Sequence, residues 1–225
     1  LAARYAAEAD EVLRGGGVGC FMHESAMGSA GQVIYPPTYL QRVYAAVRAQ
    51  GGVCVADEVQ VGFGRAGSHF WMFEAHGVVP DIVTIGKPMG NGYPVAAVVV
   101  KRSIADAFAS TGIEYFNTFG GNSVACYIAE AVLDQIGSAG LQRNALEVGG
   151  YLKERLLALQ RQYSCIGDVR GCGLFLGIEF CCSVSQFKLH PPKCTADSVM
   201  DLDCSCALTE FLVNHMLLHA KVISS

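Results

Sequence analysis

Short runs of consecutive apolar residues recur along the first 180 positions of this chain. They predict buried strands at residues 18–22, 53–56, 82–85, 93–100 and 173–180. A strand that is apolar along its whole length is typical of a sheet that is covered on both faces. The pattern therefore predicts a buried sheet.

Between these runs, apolar residues recur every three or four positions, which indicates helices. The helical stretches are residues 1–14, 38–50, 103–109, 122–136 and 141–162. Strands that alternate with helices favour an α/β fold. We expect one α/β domain over residues 1–137 and a second, smaller domain over residues 138–225.

Composition excludes several classes of function. Apolar residues make up 52% of the 225 positions, charged residues make up 16%, and the formal net charge is −4. A slightly acidic chain is not expected to bind nucleic acid or an anionic membrane surface. No apolar run has the length of about 20 residues that a membrane-spanning helix needs, so no membrane span is expected.

The ten cysteines are predicted to be reduced thiols. Five lie singly inside apolar segments, where cysteine behaves as a small hydrophobic residue: Cys20, Cys54, Cys126, Cys165 and Cys172. The other five crowd into residues 181–206 and lack the C-x-x-C pairs of common zinc sites. We therefore expect no metal site and a reducing compartment.

Charged side chains at the ends of predicted strands are the candidate chemistry. Glu24, Asp57 and Lys87 each follow a buried run, and ligands of open α/β sheets bind beyond the carboxyl ends of the strands. Most lysines are simply solvated. Lys87, however, lies in a turn rich in glycine and proline between two buried strands, where its amine would be partly desolvated and suited to a Schiff base.

Three further features each have a functional and a structural interpretation. Asp57 could hold a protonated ring nitrogen or cap the following turn. The loop at residues 117–122 could bind phosphate at a helix start, or be a glycine turn in which Asn122 caps the helix. Arg170, on a predicted glycine-rich turn, could capture an anion or form a salt bridge with Asp168.

One segment matches a dinucleotide-binding motif in its residue types but not in its predicted structural context. Residues 62–67 match the pattern G-x-G-x-x-G. That fingerprint requires its first glycine directly after a strand and a helix after its last glycine, and neither is predicted here. Arg65, within this segment, is interpreted as structural. A nicotinamide-dependent oxidoreductase is therefore a distant alternative.

Four segments together resemble the class-III aminotransferases, namely residues 55–65, 81–87, 115–122 and 167–171. They follow the family's order and spacing, and the similarity extends from the first residues to about residue 180. The amino acids at positions 68–71 and 114–122 are most similar to those of the alanine–glyoxylate aminotransferase 2-like subgroup. This subgroup includes lyases acting on phosphoethanolamine and 5-phosphohydroxylysine. The resemblance implies fold type I of the pyridoxal-phosphate enzymes, a mostly parallel sheet covered by helices with part of a smaller C-terminal α+β domain.

The resemblance also implies how pyridoxal 5'-phosphate would be held. Lys87 would carry the cofactor as a Schiff base, and Asp57 would pair with the pyridine nitrogen. Gln60 would contact the phenolic oxygen, and Glu24 would be a nearby acid. Thr118 would bind the phosphate of the cofactor in a neighbouring subunit, which implies a homodimer with shared active sites.

On the substrate side, the resemblance implies that Arg170 binds the carboxylate of an amino acid. Many family members carry a glutamate five positions after the Glu24 equivalent, and this glutamate masks the arginine. This chain has Ser29 at that position. An amine or amino acid is the expected substrate.

Transamination is the predicted reaction, and elimination of phosphate from phosphoethanolamine or a phosphorylated hydroxylysine is the first alternative. Family members are about twice as long, and the segment 181–206 diverges from them, so the chain is expected to be a fragment. A second alternative is therefore an inactive homologue that only packs against a partner. The expected location is mitochondrial, with the cytoplasm as the alternative.

Overall fold

The computed structural model describes residues 2–181. Its helices are α1 (Ala2–Arg14), α2 (Tyr39–Ala49), α3 (Met72–Ala75), α4 (Arg102–Ser110), α5 (Ser123–Ser138) and α6 (Leu141–Gln162). Its strands are β1 (Cys20–Glu24), β2 (Val53–Asp57), β3 (Ile82–Ile85), β4 (Ala97–Val100), β5 (Ile166–Cys172) and β6 (Phe175–Phe180). A 3-10 turn covers Lys87–Gly90. All five predicted helices are confirmed within a few residues.

The chain divides into two compact units. Among the described residues, one unit holds residues 2–151 with Gly171–Leu176, and the other holds residues 152–170 with residues 177–181. The separate division into a large and a small domain at residue 137 stays a prediction.

The main sheet has the strand order β1-β2-β3-β4. Strands β1, β2 and β3 are parallel, and β4 runs antiparallel to β3. The predicted α/β fold with a mostly parallel sheet is confirmed. Parallel strands end at the same edge of a sheet, so the residues that follow β1, β2 and β3 share one edge.

Helix α2 forms the core against the sheet and helix α1. Its buried face carries Leu40, Val43, Tyr44 and Val47, which pack with Cys54 of β2. Burial of each large apolar side chain contributes roughly 1.5–3 kcal/mol. This helix therefore holds β2, whose end carries Asp57.

One strand prediction was wrong in extent, and another was confirmed within a few residues. The strand predicted at residues 93–100 covers only Ala97–Val100, because β3 offers four partners, from Ile82 to Ile85. The run at residues 173–180 forms β6, which pairs with β5 in a separate two-stranded sheet.

Strand β5 was missed, because its glycines and charged residues hide the alternation that marks a strand. Arg170 therefore lies within a strand, and the turn predicted for it was wrong.

Coverage of the main sheet is incomplete at β4. Val98 is 63% exposed and Val99 is 56% exposed. Successive residues of a strand face opposite sides of the sheet. The described residues therefore leave both faces of this edge strand open.

Within residues 2–181, no helix has the combined length and apolar character that crossing a membrane requires.

Candidate active site

Three strand ends carry the predicted polar groups to one edge of the main sheet. Glu24 is the register partner of Asp57, and Asp57 is the register partner of Thr84. Lys87 follows the end of β3 after one glycine. The structure therefore brings Glu24, Asp57 and Lys87 to the same edge, where α/β proteins bind ligands.

Lys87 is the first residue of the 3-10 turn and has a φ of 30°. A positive φ is unfavourable for a residue with a Cβ and costs about 1–3 kcal/mol, a strain that is found mostly at functional sites. The side chain is exposed. The sequence predicted that the Lys87 amine would be partly desolvated. Among the described residues this prediction was wrong, because the amine extends into an open cleft.

The amine of Lys87 contacts the Gln60 side chain. Lys87 Nζ donates a hydrogen bond to Gln60 Oε1 at 3.2 Å. Gln60 in turn packs against Gly28, where an added Cβ would lie 2.9 Å from Gln60 Cδ and Nε2. The Gly28 amide donates to Glu24 Oε2 at 2.6 Å. The Glu24 carboxylate therefore holds the Gly28 backbone, against which the Gln60 side-chain amide packs.

The Asp57 carboxylate caps the turn that follows β2, which is the structural one of its two interpretations. Its Oδ1 accepts from the Val59 amide at 2.9 Å, as a carboxylate that caps a turn does. Among residues 2–181, no donor is bound to its other oxygen. The turn therefore orients the carboxylate and leaves Oδ2 for a further donor.

Glu58, the next residue, is a buried acid for which the sequence suggested no separate role. Its side chain is fully buried, and its oxygens accept from the Met72 and Phe73 amides, each at 2.9 Å. Burial raises the pKa of this carboxyl above its ordinary value. Glu58 ties the start of α3 to the end of β2 and so holds the segment that carries Gln60. An acid directly after an apolar strand was the available signal.

A cleft of about 490 Å³ lies beside Lys87. This volume falls in the range of small-molecule sites, roughly 300–1,000 Å³. Its lining is Gln32, Gln60, Arg65, Lys87, Pro88, Asn91, Gly92 and Leu174–Leu176. Sequence reasoning missed Gln32 and Asn91 and interpreted Arg65 as structural. Gln32 and Asn91 have positive φ angles, a backbone signal that the sequence does not display. Glu24, Asp57 and Thr118 do not line this cleft.

Thr118 lies in the loop before α5 and is exposed. In this loop Asn117 Oδ1 accepts from the Phe119 amide at 3.1 Å. Asn122 caps the helix, since its Oδ1 accepts from the Ala125 amide at 2.9 Å. The structural interpretation of Asn122 is therefore confirmed, and phosphate binding by Thr118 stays a prediction.

Arg170 belongs to the second compact unit and is described within it. Its Nη1 donates to Asp168 Oδ2 at 2.8 Å and to Glu179 Oε2 at 2.6 Å. The hydrogen bonds to these two carboxylates raise the pKa of the guanidinium. The salt bridge to Asp168 was anticipated, and the second acid was missed because it lies on the neighbouring strand.

Metal ligands are not clustered within residues 2–181, where no group of three or more His, Cys, Asp or Glu residues is placed to hold an ion. Cys20, Cys54, Cys126, Cys165 and Cys181 are free thiols. The cysteine-rich segment 181–206, apart from Cys181, lies outside the described residues.

Two curated relatives are similar over most of this chain. The alanine–glyoxylate aminotransferase 2-like protein of Drosophila melanogaster is 56% identical over 169 residues, which is 75% of this chain and 34% of the fly protein. The Homo sapiens alanine–glyoxylate aminotransferase 2, named as mitochondrial, is 50% identical over 159 residues, which is 71% of this chain and 31% of the human protein. The matched region thus spans about a third of each relative's length.

Solved structures give the same result. A phospholyase from Arthrobacter in complex with phosphoethanolamine has a TM-score of 0.75 and 37% identity, covering 80% of this chain and 43% of that one. The taurine:2-oxoglutarate aminotransferase of Bifidobacterium kashiwanohense, in complex with pyridoxal phosphate and glutamate, has a TM-score of 0.75 and 28% identity, covering 80% and 41%. These relatives indicate pyridoxal 5'-phosphate as the cofactor.

The residues at the sheet edge fit this cofactor chemically. They offer an amine for its aldehyde, an amide for its phenolic oxygen and a carboxylate for its ring nitrogen, from Lys87, Gln60 and Asp57. Thr84, the register partner of Asp57, has a buried Oγ1 that has no hydrogen-bond partner among residues 2–181. A buried hydroxyl without a partner is uncommon and is consistent with a further group at this edge.

The sequence motifs, the fold and the similar proteins agree. A family model described as aminotransferase class-III matches residues 4–199, which is most of the chain. The family resemblance inferred from the four sequence segments is therefore confirmed. This chain belongs to the class-III aminotransferase family.

Proposed function

We propose that this chain is the part of a pyridoxal-phosphate aminotransferase that carries the cofactor lysine, and that the enzyme acts on an amine or amino acid. The observation that carries the proposal is the hydrogen bond from Lys87 Nζ to Gln60 Oε1, at the sheet edge that also holds Asp57. When bound, the cofactor supplies an electron sink for the substrate's α-carbon.

Each residue at the edge then has a defined task. Lys87 would hold the cofactor through its amine and, with that amine free, would take the α-proton of the substrate as a general base. Asp57 would favour the protonated ring nitrogen, because a facing carboxylate favours the charged form. Gln60 would contact the phenolic oxygen, and Glu24 holds Gln60 in place through the Gly28 amide.

The remaining predicted contacts come from outside this edge. We propose that Thr118 binds the cofactor phosphate of a second subunit and that Arg170 binds the carboxylate of an amino-acid substrate. A homodimer is supported by large exposed apolar side chains around Thr118, since such surfaces mark interaction sites. They are Tyr115 at 73%, Phe116 at 82%, Phe119 at 78% and Tyr127 at 73% exposure.

A mitochondrial location is also proposed. Its support is the human relative, which is named as mitochondrial.

Borohydride trapping tests the proposal at Lys87. The full chain is incubated with pyridoxal phosphate, reduced, digested and analysed by mass spectrometry. We expect a reduced pyridoxyl group on Lys87, none at this position in Lys87→Arg, and an unchanged label in Lys153→Arg, which removes a helical lysine of α6. Label distributed over other lysines, or unchanged total label in Lys87→Arg, would refute the proposal.

A phospho-lyase is the second candidate. It is favoured by Ser29, which stands in place of the masking glutamate, and by the similarity to the Arthrobacter phospholyase. Product analysis separates the two reactions. With water, phosphoethanolamine would yield acetaldehyde, ammonia and phosphate by elimination, whereas a transaminase would pass the amino group of its donor to a keto acid and release neither ammonia nor phosphate.

An inactive homologue that only packs against a partner is the third candidate. It is favoured by the exposed apolar side chains of the described residues. Specific label on Lys87 would argue against it, since a packing subunit needs no reactive amine.

A further inference from the structure

We propose that Cys165 and Cys181 form a redox-sensitive pair of thiols, which a low-molecular-weight disulfide such as oxidised glutathione converts into an intramolecular disulfide bond. The proposal goes beyond the proposed function, because it needs neither the cofactor nor Lys87. Both cysteines belong to the second compact unit, and both are free thiols. They form a reversible modification site at the open end of the β5–β6 hairpin.

A backbone hydrogen bond places the two cysteines opposite each other. Cys165 directly precedes β5 and Cys181 directly follows β6, and the Cys181 amide donates to the Cys165 carbonyl at 2.9 Å. Residues joined in this way across the strands of a hairpin have Cα atoms about 5.5 Å apart. Disulfide bonds span Cα separations of roughly 4.4–6.8 Å. The backbone therefore already holds a separation that a disulfide can bridge.

The thiol of Cys181 lies against the backbone of the Cys165 segment. Its Sγ donates to the Ser164 carbonyl oxygen at 3.4 Å, and this oxygen belongs to the same planar peptide unit as the Cys165 Cα. A Cβ added at Gly167 would lie 3.2 Å from the same Sγ, so glycine leaves room for the sulfur there. Side chains move between staggered rotamers. Contact between the two sulfur atoms therefore requires rotation of side chains and no rearrangement of the strands.

Different exposure gives the two thiols different steps. Cys181 is exposed and Cys165 is half-buried, and the attacking species in thiol–disulfide exchange is a thiolate. The Cys181 thiolate attacks one sulfur of oxidised glutathione, whose S–S bond breaks, so that one glutathione stays on Cys181 and the other leaves as a thiolate. The Cys165 thiolate then attacks the Cys181 sulfur and expels the second glutathione. The two leaving thiolates take up the two protons that the cysteines release, and glutathione gains the two electrons that the protein loses.

A second pair of cysteines on neighbouring strands shows that adjacency alone is insufficient. Cys20 lies on β1 and Cys54 lies on β2, but the register partner of Cys20 is Val53. Cys54 therefore faces the opposite side of the sheet from Cys20, because successive residues of a strand alternate between the two faces. Cys54 is also fully buried. Cys165 and Cys181, in contrast, combine a direct backbone contact with access from solvent.

Oxidation of the full chain, followed by peptide mapping, tests the pair. The folded protein is incubated with oxidised and reduced glutathione, alkylated, and digested with trypsin and glutamyl endopeptidase. Cys165 is the only cysteine of peptide 162–170, and Cys181 lies in peptide 180–188. We expect a disulfide between these two peptides. A second thiol at an effective concentration on the order of 1 mM should outcompete about 0.1 mM reduced glutathione, so the linked form should exceed the mixed disulfide about tenfold.

Serine variants identify the two sulfur atoms. Cys165→Ser should stop at the mixed disulfide on Cys181, and Cys181→Ser should lose the link. Cys182→Ser is the matched control, because it removes the other cysteine of the same peptide and should leave the link unchanged. A link that persists in Cys181→Ser, or a wild-type chain that carries only glutathione on Cys181, would overturn the proposal.

Unfolding separates the effect of the fold from chance encounters between cysteines. In guanidinium chloride the same treatment should distribute disulfides over several cysteines, and the yield of the link between Cys165 and Cys181 should fall. An equal yield in the folded and the unfolded chain would also overturn the proposal. The readout needs no pyridoxal phosphate, so its result is independent of borohydride trapping at Lys87.

Discussion

Lys87 Nζ and Gln60 Oε1 lie 3.2 Å apart, although the two residues are 27 positions apart in sequence. Gln60 follows β2 and Lys87 follows β3, two parallel neighbours in the sheet. Because both loops leave the same edge, the amide can hold the amine. The position of the proposed cofactor lysine is thus set by a residue of another loop.

Replacement of Gln60 by alanine should weaken cofactor binding at Lys87. The substitution removes an acceptor for the amine, and a net hydrogen bond of about 1 kcal/mol corresponds to roughly a fivefold loss of affinity. Titration with pyridoxal phosphate, followed by absorbance, measures the loss. Gln50→Ala, at the exposed end of α2, is the control and should bind normally. Equal affinity of Gln60→Ala and the wild type would show that the amide is not needed.

Gly28→Ala should also weaken cofactor binding, although the added methyl group would contact Gln60 and not the cofactor lysine. The added Cβ would lie 2.9 Å from the end of the Gln60 side chain, which can move away. We expect an affinity for pyridoxal phosphate that falls by about as much as in Gln60→Ala, with little change in melting temperature. Gly19→Ala is the control, because its Cβ would meet no atom within 4 Å. A Gly28→Ala protein that unfolds more easily but binds normally would contradict this account.

Two adjacent glycines of α6 should respond in opposite ways to alanine. A Cβ at Gly149 would lie 2.0 Å from the Gly173 carbonyl oxygen, which is backbone and cannot turn aside. Overpacking of this kind costs typically about 1–3 kcal/mol. A Cβ at Gly150 would meet nothing within 4 Å, and alanine there should stabilise the helix by about 0.5–1 kcal/mol. Urea unfolding of both variants measures the difference, and equal effects would rule out the close approach.

Glu58 should make stability depend on pH. Burial raises its folded-state pKa above the ordinary value of 4.5. The folded protein therefore holds this proton more tightly than the unfolded chain, so the contribution is present below pH 4.5 and is lost as pH rises through the folded-state pKa.

Glu58→Gln tests this sign. The variant should be less stable at low pH by about 1–3 kcal/mol, because its amide cannot accept from both the Met72 and Phe73 amides. The difference from the wild type should narrow as pH rises above 4.5. Thermal unfolding from pH 4 to pH 7 follows the change. A gap that widens with pH would show that the sign is wrong.

Local patterns were sufficient for much of the fold. The buried face of α2, with Leu40, Val43 and Val47, follows directly from apolar spacing, because such a stripe has to be buried against the sheet. The polar ends of β1, β2 and β3 were equally visible as charged residues after apolar runs. Strand β5 was not visible, because Gly167 and Gly171 interrupt its pattern and its stability depends on pairing with β6.

The candidate site was predictable in part. Lys87 and Asp57 could be singled out by their place after buried strands, and the structure puts both at one edge. The support beneath them was not predictable. Gln60 is held by Gly28, and Gly28 is held by Glu24, through contacts that join loops of different strands. Sequence spacing carries no information on such distances.

By itself, the sequence determined the family, the order of helices and strands, and the identity of the amine and the acid at the strand ends. These depend on residue type and on short-range periodicity, which a chain displays without folding. Only the tertiary structure decided that Gly149 is confined while Gly150 is open, and that Arg170 is held by both Asp168 and Glu179. The physical reason is that steric contact and ion pairing act over a few ångströms, between segments that only folding brings together.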